Sequence, residues 1–224
     1  MKNTLFLLLF CVASVSAQTK FGLSIGVNLS GVSTDAPNTK INLRPSFQIG
    51  AMADIRLSEK LFFQGSLLFS ERGYGFLAIT ETVDSSLALP RSSVVTSEGK
   101  RILSYIDLPV LLVYKLDLGI GRAFVGAGPY FSYNLRGVNK ENNTYVVNSD
   151  RDLSITKING NYDMNRLQEI SRIDYGATFT LGIEFEEKWQ LAAHYGLGLA
   201  DIDPNQYKVS NRTTSITLVY LFDK

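Results

Sequence analysis

One histidine, His194, stands in a chain of 224 residues, and it sets the first limit on chemistry. With abundant serine and aspartate, a Ser-His-Asp hydrolase can be imagined, but no nucleophile elbow accompanies His194 and no spacing ties it to a particular serine. A hydrogen-bonding role is the expected one, and a single histidine gives poor support to a transition-metal site. Gly126-x-Gly128 and Gly119-x-Gly121 have the spelling of phosphate loops. Neither opens a helix and Pro129 follows the first, so strand packing and a turn are expected instead. No catalytic residue, metal or cofactor is expected, and the chain is read as a non-enzyme.

A second group of residues carries charge or hydrogen-bonding capacity along otherwise apolar stretches: Asp54, Arg56, Arg72, Asp107, Lys115, Asn134, Arg136, Asp174, Glu184 and His194. They could line a selective pore, or pair with one another inside a space too narrow to conduct. Which applies depends on the elements that hold them.

Those elements show a period of two, the mark of strands whose successive side chains point to opposite faces. Phe21, Leu23, Ile25, Val27 and Leu29 share one face, against Gly22, Ser24, Gly26, Asn28 and Ser30. The pattern recurs in seven further segments, near residues 46–57, 61–70, 105–115, 123–136, 173–185, 189–199 and 214–222. A turn centred on Glu59 would set Asp54 opposite Gln64 and Arg56 opposite Phe62. Each segment has about the ten residues that a tilted strand needs to cross a bilayer.

Parity alone does not say which face is inside. The polar face is rich in glycine, which suits the interior of a small barrel, and poor in the Lys and Glu of solvated strands. Aromatics cluster near segment ends at Phe47, Phe63, Tyr114, Phe131, Tyr133, Tyr175, Phe185, Trp189, Tyr220 and Phe222, as interface girdles require. The expected fold is therefore all-β: an eight-stranded antiparallel up-and-down transmembrane β-barrel. A barrel of eight strands has an interior that side chains fill, so the ten polar residues are expected to form a plug of ion pairs.

Connections after segments two, four and six are short. Those at about 32–44, 74–100 and 138–172 are long, with one or two helical turns expected over Asp163 to Ile170. Short turns belong to the periplasmic side of such barrels, so both termini are expected in the periplasm of a bacterial outer-membrane protein. Residues 1–17 read as a signal peptide: Lys2, an apolar run from Leu5 to Ala13, and Val15-Ser16-Ala17 before the cleavage point. Its removal leaves 224 − 17 = 207 residues, without the lone Cys11, and takes the formal net charge from +1 to 0. Disulfides and cysteine-held metals drop out, and no basic excess argues for nucleic acid.

Five stretches together resemble the PorT-like outer-membrane β-barrel family of Bacteroidota. They are Phe21–Ser30, Gln48–Asp54, the strand Tyr105-Ile-Asp-Leu-Pro-Val-Leu-Leu-Val-Tyr114, Val125-Gly-Ala-Gly-Pro-Tyr130, and Ile216–Phe222. The resemblance implies a small integral barrel in contact with outer-membrane lipid and inserted by the barrel-assembly machinery. It also implies, for some members, a part in the secretion or assembly of other envelope proteins. The residues themselves favour a structural or binding scaffold acting through its long external loops; a lipid-modifying enzyme is the third reading.

Overall fold

Alternation becomes nine strands in the computed structural model, which describes residues 19–84, 91–149, 152–166, 170–203 and 207–222. The strands are β1 (Thr19–Thr34), β2 (Thr39–Arg56), β3 (Leu61–Asp84), β4 (Arg91–Asp117), β5 (Arg122–Ser149), β6 (Asp152–Asp163), β7 (Ile173–Phe185), β8 (Trp189–Gly198) and β9 (Val209–Leu221). The segment expected to be a signal peptide lies outside the described residues.

Eight strands close a ring in the order β1-β2-β3-β4-β5-β7-β8-β9, and β9 returns to β1. Every pairing is antiparallel. Asp54 faces Gln64 and Arg56 faces Phe62, the register expected from a turn at Glu59. Closure matters because an open strand edge in lipid would leave backbone N–H and C=O groups without partners. β6 stands outside the ring, paired with the upper half of β5.

The burial pattern is that of a membrane barrel. Phe21 and Val27 are 59% and 63% exposed, whereas Ser24 and Asn28 on the same strand are buried. Such an inversion is costly in water and favourable in hydrocarbon. All ten expected girdle aromatics are exposed. They fall into two belts. Phe63, Tyr114, Phe185, Trp189, Tyr220 and Phe222 lie near the short turns, with the Trp189 and Tyr220 rings 4.7 Å apart. Phe47, Phe131, Tyr133 and Tyr175 lie near the other end, where Phe47 meets Phe69 at 6.0 Å.

The long connections differ from expectation. Most of 74–100 and much of 138–172 is strand: β3 and β4 run on together to the pair Asp84 and Arg91, and β5 and β6 to the pair Ser149 and Asp152. Period-two contrast arises only where the two faces of a strand meet different environments, here lipid and lumen. Beyond the membrane both faces are wet, so runs such as Thr80-Glu-Thr-Val83 keep β-branched propensity but lose the alternating signature. With the outer part of β2, these strands build a sheet that projects past the barrel mouth. Residues 164–166 form a turn rather than helix, with Asp163 Oδ1 accepting the N–H groups of Asn165 and Arg166. The rest of that expected helix, 167–169, lies outside the described residues.

Candidate functional site

The lumen is built in layers. Nearest the short turns, Lys115 on β4 donates to Asp54 on β2 at 2.5 Å and to Glu184 on β7 at 2.6 Å. Arg122 donates to the other oxygen of Glu184. Gln190 bridges Glu184 at 2.7 Å and Asp54 at 3.4 Å, and Gln64 reaches Asp54 and Gln190 at 3.3 Å each. The Lys115 ammonium stands 4.0 Å from the centre of the Phe62 ring. Two cations thus meet two carboxylates. Burial of Asp54, Lys115 and Glu184 is costly unless they are paired and hydrogen-bonded, and this arrangement, with the half-buried Arg122, meets both conditions.

A second ionic layer lies toward the opposite end. Arg72 on β3 holds Asp107 at 2.6 Å and Asp174 at 3.1 Å. Tyr130 and the Asn211 amide donate to Asp174 at 3.2 and 2.9 Å, and the guanidinium packs 5.1 Å from the Tyr105 ring and 5.3 Å from that of Tyr130. The two carboxylates exceed the one cation, and the hydroxyl and amide donors spread the extra negative charge.

Between the layers lies a cavity of about 80 Å³, walled by Met52, Leu68, Leu111, Phe124, His194 and Val219 among others. This is room for a few waters, not for a solute path. His194 shares a hydrogen bond of 2.8 Å with Thr217 Oγ1. One expectation needs correction: the chain does carry a Gly-x-Ser-x-Gly stretch, Gly22-Leu-Ser-Ile-Gly26, and its Ser24 borders this cavity with His194. The stretch runs as extended strand in the middle of β1, so it lacks the strand-to-helix turn that exposes such a serine.

Above the second layer, Tyr74, Leu103, Tyr105, Met164, Ile170, Ile202 and Val209 form an apolar cluster. Met164 and Ile170 come from the β6–β7 connection and Ile202 from the β8–β9 connection; Ser171 N–H donates to Ile202 C=O at 2.9 Å, tying the two together. Met164, Ile170 and Ile202 thereby cap the mouth.

Of the ten expected lumen residues, Asp54, Arg72, Asp107, Lys115, Asp174 and Glu184 join the two ionic layers, and His194 borders the cavity between them. Asn134 is buried near the cap, where its Oδ1 accepts from Asn165 at 2.6 Å. Arg56 and Arg136 depart from the expectation, since both are exposed. Arg56 is the last residue of β2, and its Nε turns to the Ser58 carbonyl at 3.1 Å. Arg136 leaves the lumen because of a bulge. Ser104 pairs with Arg136 but Tyr105 pairs with Asn134, so Leu135 is an extra residue that reverses the parity beyond it. Gln64, Arg122, Tyr130, Gln190 and Asn211 belong to the layers but escape a search for charge on the expected strands. Gln64, Tyr130 and Gln190 share the polar parity of their strands, which is the signal that could have found them. Asn211 falls on a strand that begins earlier than its alternation does.

Outside the cap, the projecting sheet, the β1–β2 tip and the β8–β9 connection surround a groove of about 650 Å³. Its lining includes Ile41, Tyr74, Phe76, Arg101, Glu141 and Tyr207. Arg101 donates to the Tyr74 hydroxyl at 2.9 Å and pairs with Asp203 at 2.7 Å. Burial pushes the Tyr74 phenol above its usual range, so it stays a neutral hydroxyl at neutral pH.

A closed eight-strand ring with a lipid-facing exterior, two aromatic belts and a filled interior defines a transmembrane β-barrel. The chain belongs to the outer membrane protein beta-barrel domain family, whose model matches residues 16–203. No curated protein sequence matches it. Among solved structures it is similar to the attachment invasion locus protein Ail of Yersinia pestis, at 14% identity over 92% of this chain and 99% of that one, with a TM-score of 0.41. OprG from Pseudomonas aeruginosa gives 13% identity, 92% and 96% coverage and a TM-score of 0.46. Neisserial surface protein A gives 12%, 90% and 97%, and 0.39. By its family, the chain is an outer-membrane β-barrel protein.

Proposed function

We propose that this barrel is a non-conducting, non-enzymatic scaffold that binds its partners on the external sheet and groove. The observation that carries this reading is the contrast between the two ends of the same strands. Inside the membrane they close on two paired ionic layers, an apolar cap and a cavity of about 80 Å³. Outside it they continue as exposed sheet around a groove of about 650 Å³. Loops carried by a rigid scaffold are where binding specificity usually resides. In this reading the short turns and both termini face the periplasm, the 1–17 segment is removed on export, and lipid and the barrel-assembly machinery are the barrel's general partners. The finer resemblance to PorT-like proteins supplies the alternative, a part in secretion or envelope assembly, which would work from the periplasmic rim.

Photo-crosslinking in living cells separates the two. A benzophenone amino acid at the groove rim, in place of Tyr207, should yield adducts with surface molecules. Adducts formed only from Ile120, at the tip of the β4–β5 turn, would overturn the external reading.

A further inference from the structure

Beyond the membrane, the sheet of β3 to β6 has two faces of different chemistry. Tyr74, Phe76, Arg101 and Glu141 line the groove on one of them. Strand parity places their chain neighbours Lys100 and Lys140, which are register partners, on the other. Lys100 shares the parity of Leu108 and Leu112, so this second face continues the lipid-facing wall of the barrel. Lys157 on β6 belongs to it too, because Glu141 pairs with Gly160 and side chains alternate from there. Arg136 joins the face through the Leu135 bulge, which turns it outward. Arg172 is fixed at the same bulge, where its Nη1 donates to the carbonyls of Asn134 and Leu135 at 3.2 and 3.3 Å. All five cations are exposed.

Among the described residues, this charge is not neutralised. The ion pairs of the external part, Arg44 with Glu71 and Arg101 with Asp203, use none of the five cations. Glu98 and Asp163 stand on the same face of β4 to β6, and Asp163 Oδ1 already accepts two N–H groups of the turn that follows it. Like charges directly opposite each other across two strands repel, so the Lys100 and Lys140 pair has a cost that a bridging anion removes. Height supplies a second observation. Ile173, which follows Arg172, is the register partner of Tyr133 in the aromatic belt at this end. Arg136 lies three residues beyond Tyr133, at most about 10 Å along a tilted strand that rises about 3.4 Å per residue. Headgroups add roughly 5–7 Å on each side of the hydrocarbon. The two arginines therefore stand at headgroup level, with the lysines higher on the same face.

We infer that this face binds the phosphates of a phosphorylated glycolipid in the outer leaflet. Arg136 and Arg172 take phosphate at headgroup level, where the guanidinium fork matches phosphate oxygens. Lys100, Lys140 and Lys157 take phosphate carried further out on the sugar chain. A lipid with its charge confined to the headgroup would reach the arginines and leave the lysines uncompensated, so the vertical spread of the cations selects the glycolipid. The inference rests on the external orientation above. It goes beyond general lipid contact by naming the headgroup chemistry and the residues, and it is independent of what occupies the groove.

The test is native mass spectrometry of the full refolded barrel in neutral detergent, titrated with rough lipopolysaccharide bearing a phosphorylated core, bisphosphorylated lipid A and phosphatidylglycerol. The same lipopolysaccharide stripped of phosphate, inorganic phosphate and dextran sulfate complete the set. Rough lipopolysaccharide should bind saturably, and more tightly than its dephosphorylated form or phosphatidylglycerol. Arg136→Gln with Arg172→Gln should weaken lipopolysaccharide and lipid A alike, by about tenfold or more, a change of about 1.4 kcal/mol. Lys100→Gln with Lys140→Gln should weaken lipopolysaccharide and leave lipid A nearly unchanged, a split that a merely structural role would not give. Lys20→Gln, at the opposite rim, should alter neither. Gel mobility that shifts on heating checks that each variant is folded. Equal binding of dephosphorylated glycolipid or of phosphatidylglycerol overturns the inference, as does binding that survives both double variants. Preference for dextran sulfate or inorganic phosphate also overturns it, while groove adducts from Tyr207 would leave the external scaffold reading intact. Crosslinks confined to the periplasmic rim would overturn both.

Discussion

Gly176 on β7 and Gly198 on β8 are register partners, and together they leave the space that the Tyr130 side chain occupies. A Cβ on Gly176 would stand 2.8 Å from Tyr130 Cε1, and one on Gly198 would stand 3.1 Å from its hydroxyl. Tyr130 in turn donates to Asp174, the carboxylate that Arg72 grips. Two residues with no side chains therefore position an ionic layer.

Replacing Gly176 with Ala should displace Tyr130 and strip Asp174 of a donor. Overpacking of this kind costs about 1–3 kcal/mol. Urea unfolding of the barrel in lipid vesicles should show the loss, and Tyr130→Phe combined with Gly176→Ala should not restore it, because the added Cβ would still meet the ring and the Leu197 carbonyl oxygen.

Lys115 offers a stronger perturbation. Lys115→Met keeps the length of the side chain but leaves Asp54 facing Glu184 without the cation that joins them. Removal of one partner from a buried ion pair costs about 3–5 kcal/mol. The double variant Lys115→Met, Asp54→Asn should recover most of that stability, because Glu184 keeps Arg122 as its partner. Failure to recover it would show that pairing is not what the layer contributes.

The β7–β8 turn carries a different strain. Glu186 and Glu187 both have positive φ, 51° and 56°, in a two-residue turn closed by Lys188 N–H to Phe185 C=O at 3.0 Å. Such turns favour Asn-Gly. Glu186→Asn should therefore stabilise the barrel by about 0.5–1 kcal/mol, given the αL penalty that most side chains bear. Glu187 is compensated. A hydrogen bond from Lys20 at 2.8 Å, together with that ammonium's charge and Arg122, holds its carboxyl below the ordinary 4.5.

A carboxyl lowered in the folded state stabilises above its unfolded value and loses that contribution as pH falls through its folded value. Glu187 is largely exposed, so the pair is worth about 0.2–1 kcal/mol. Glu187→Gln should therefore unfold more readily than the parent at pH 7 and match it in acid, below both values. A difference that persisted in acid would assign the effect to the turn backbone.

The barrel itself was legible because lipid imposes a one-sided environment. Phe21 through Leu29 announce a face that can only be outside once their partners are Gly, Ser and Asn, and the Glu59 turn fixes the register of Asp54 with Gln64. What the sequence hides has physical causes too. Leu135 is an ordinary apolar residue in an alternating run, and nothing in its type marks the bulge that sends Arg136 outward. Met164 and Ile202 read as stray apolar residues in polar loops until the folded connections bring them over Tyr105. The groove residue Glu141 lies where both faces of the sheet are wet, so no periodicity singles it out. Six of the ten polar residues singled out from the sequence reach the ionic layers because strand parity, once set by lipid, extends through the whole membrane thickness.

Planar-bilayer recording of the refolded barrel distinguishes a plugged lumen from a pore. With two paired ionic layers, an apolar cap and a cavity of about 80 Å³ between the layers, the barrel should show no stable stepwise conductance. Reproducible large, discrete conductance steps from the purified protein would contradict a plugged lumen and return the function to the barrel interior.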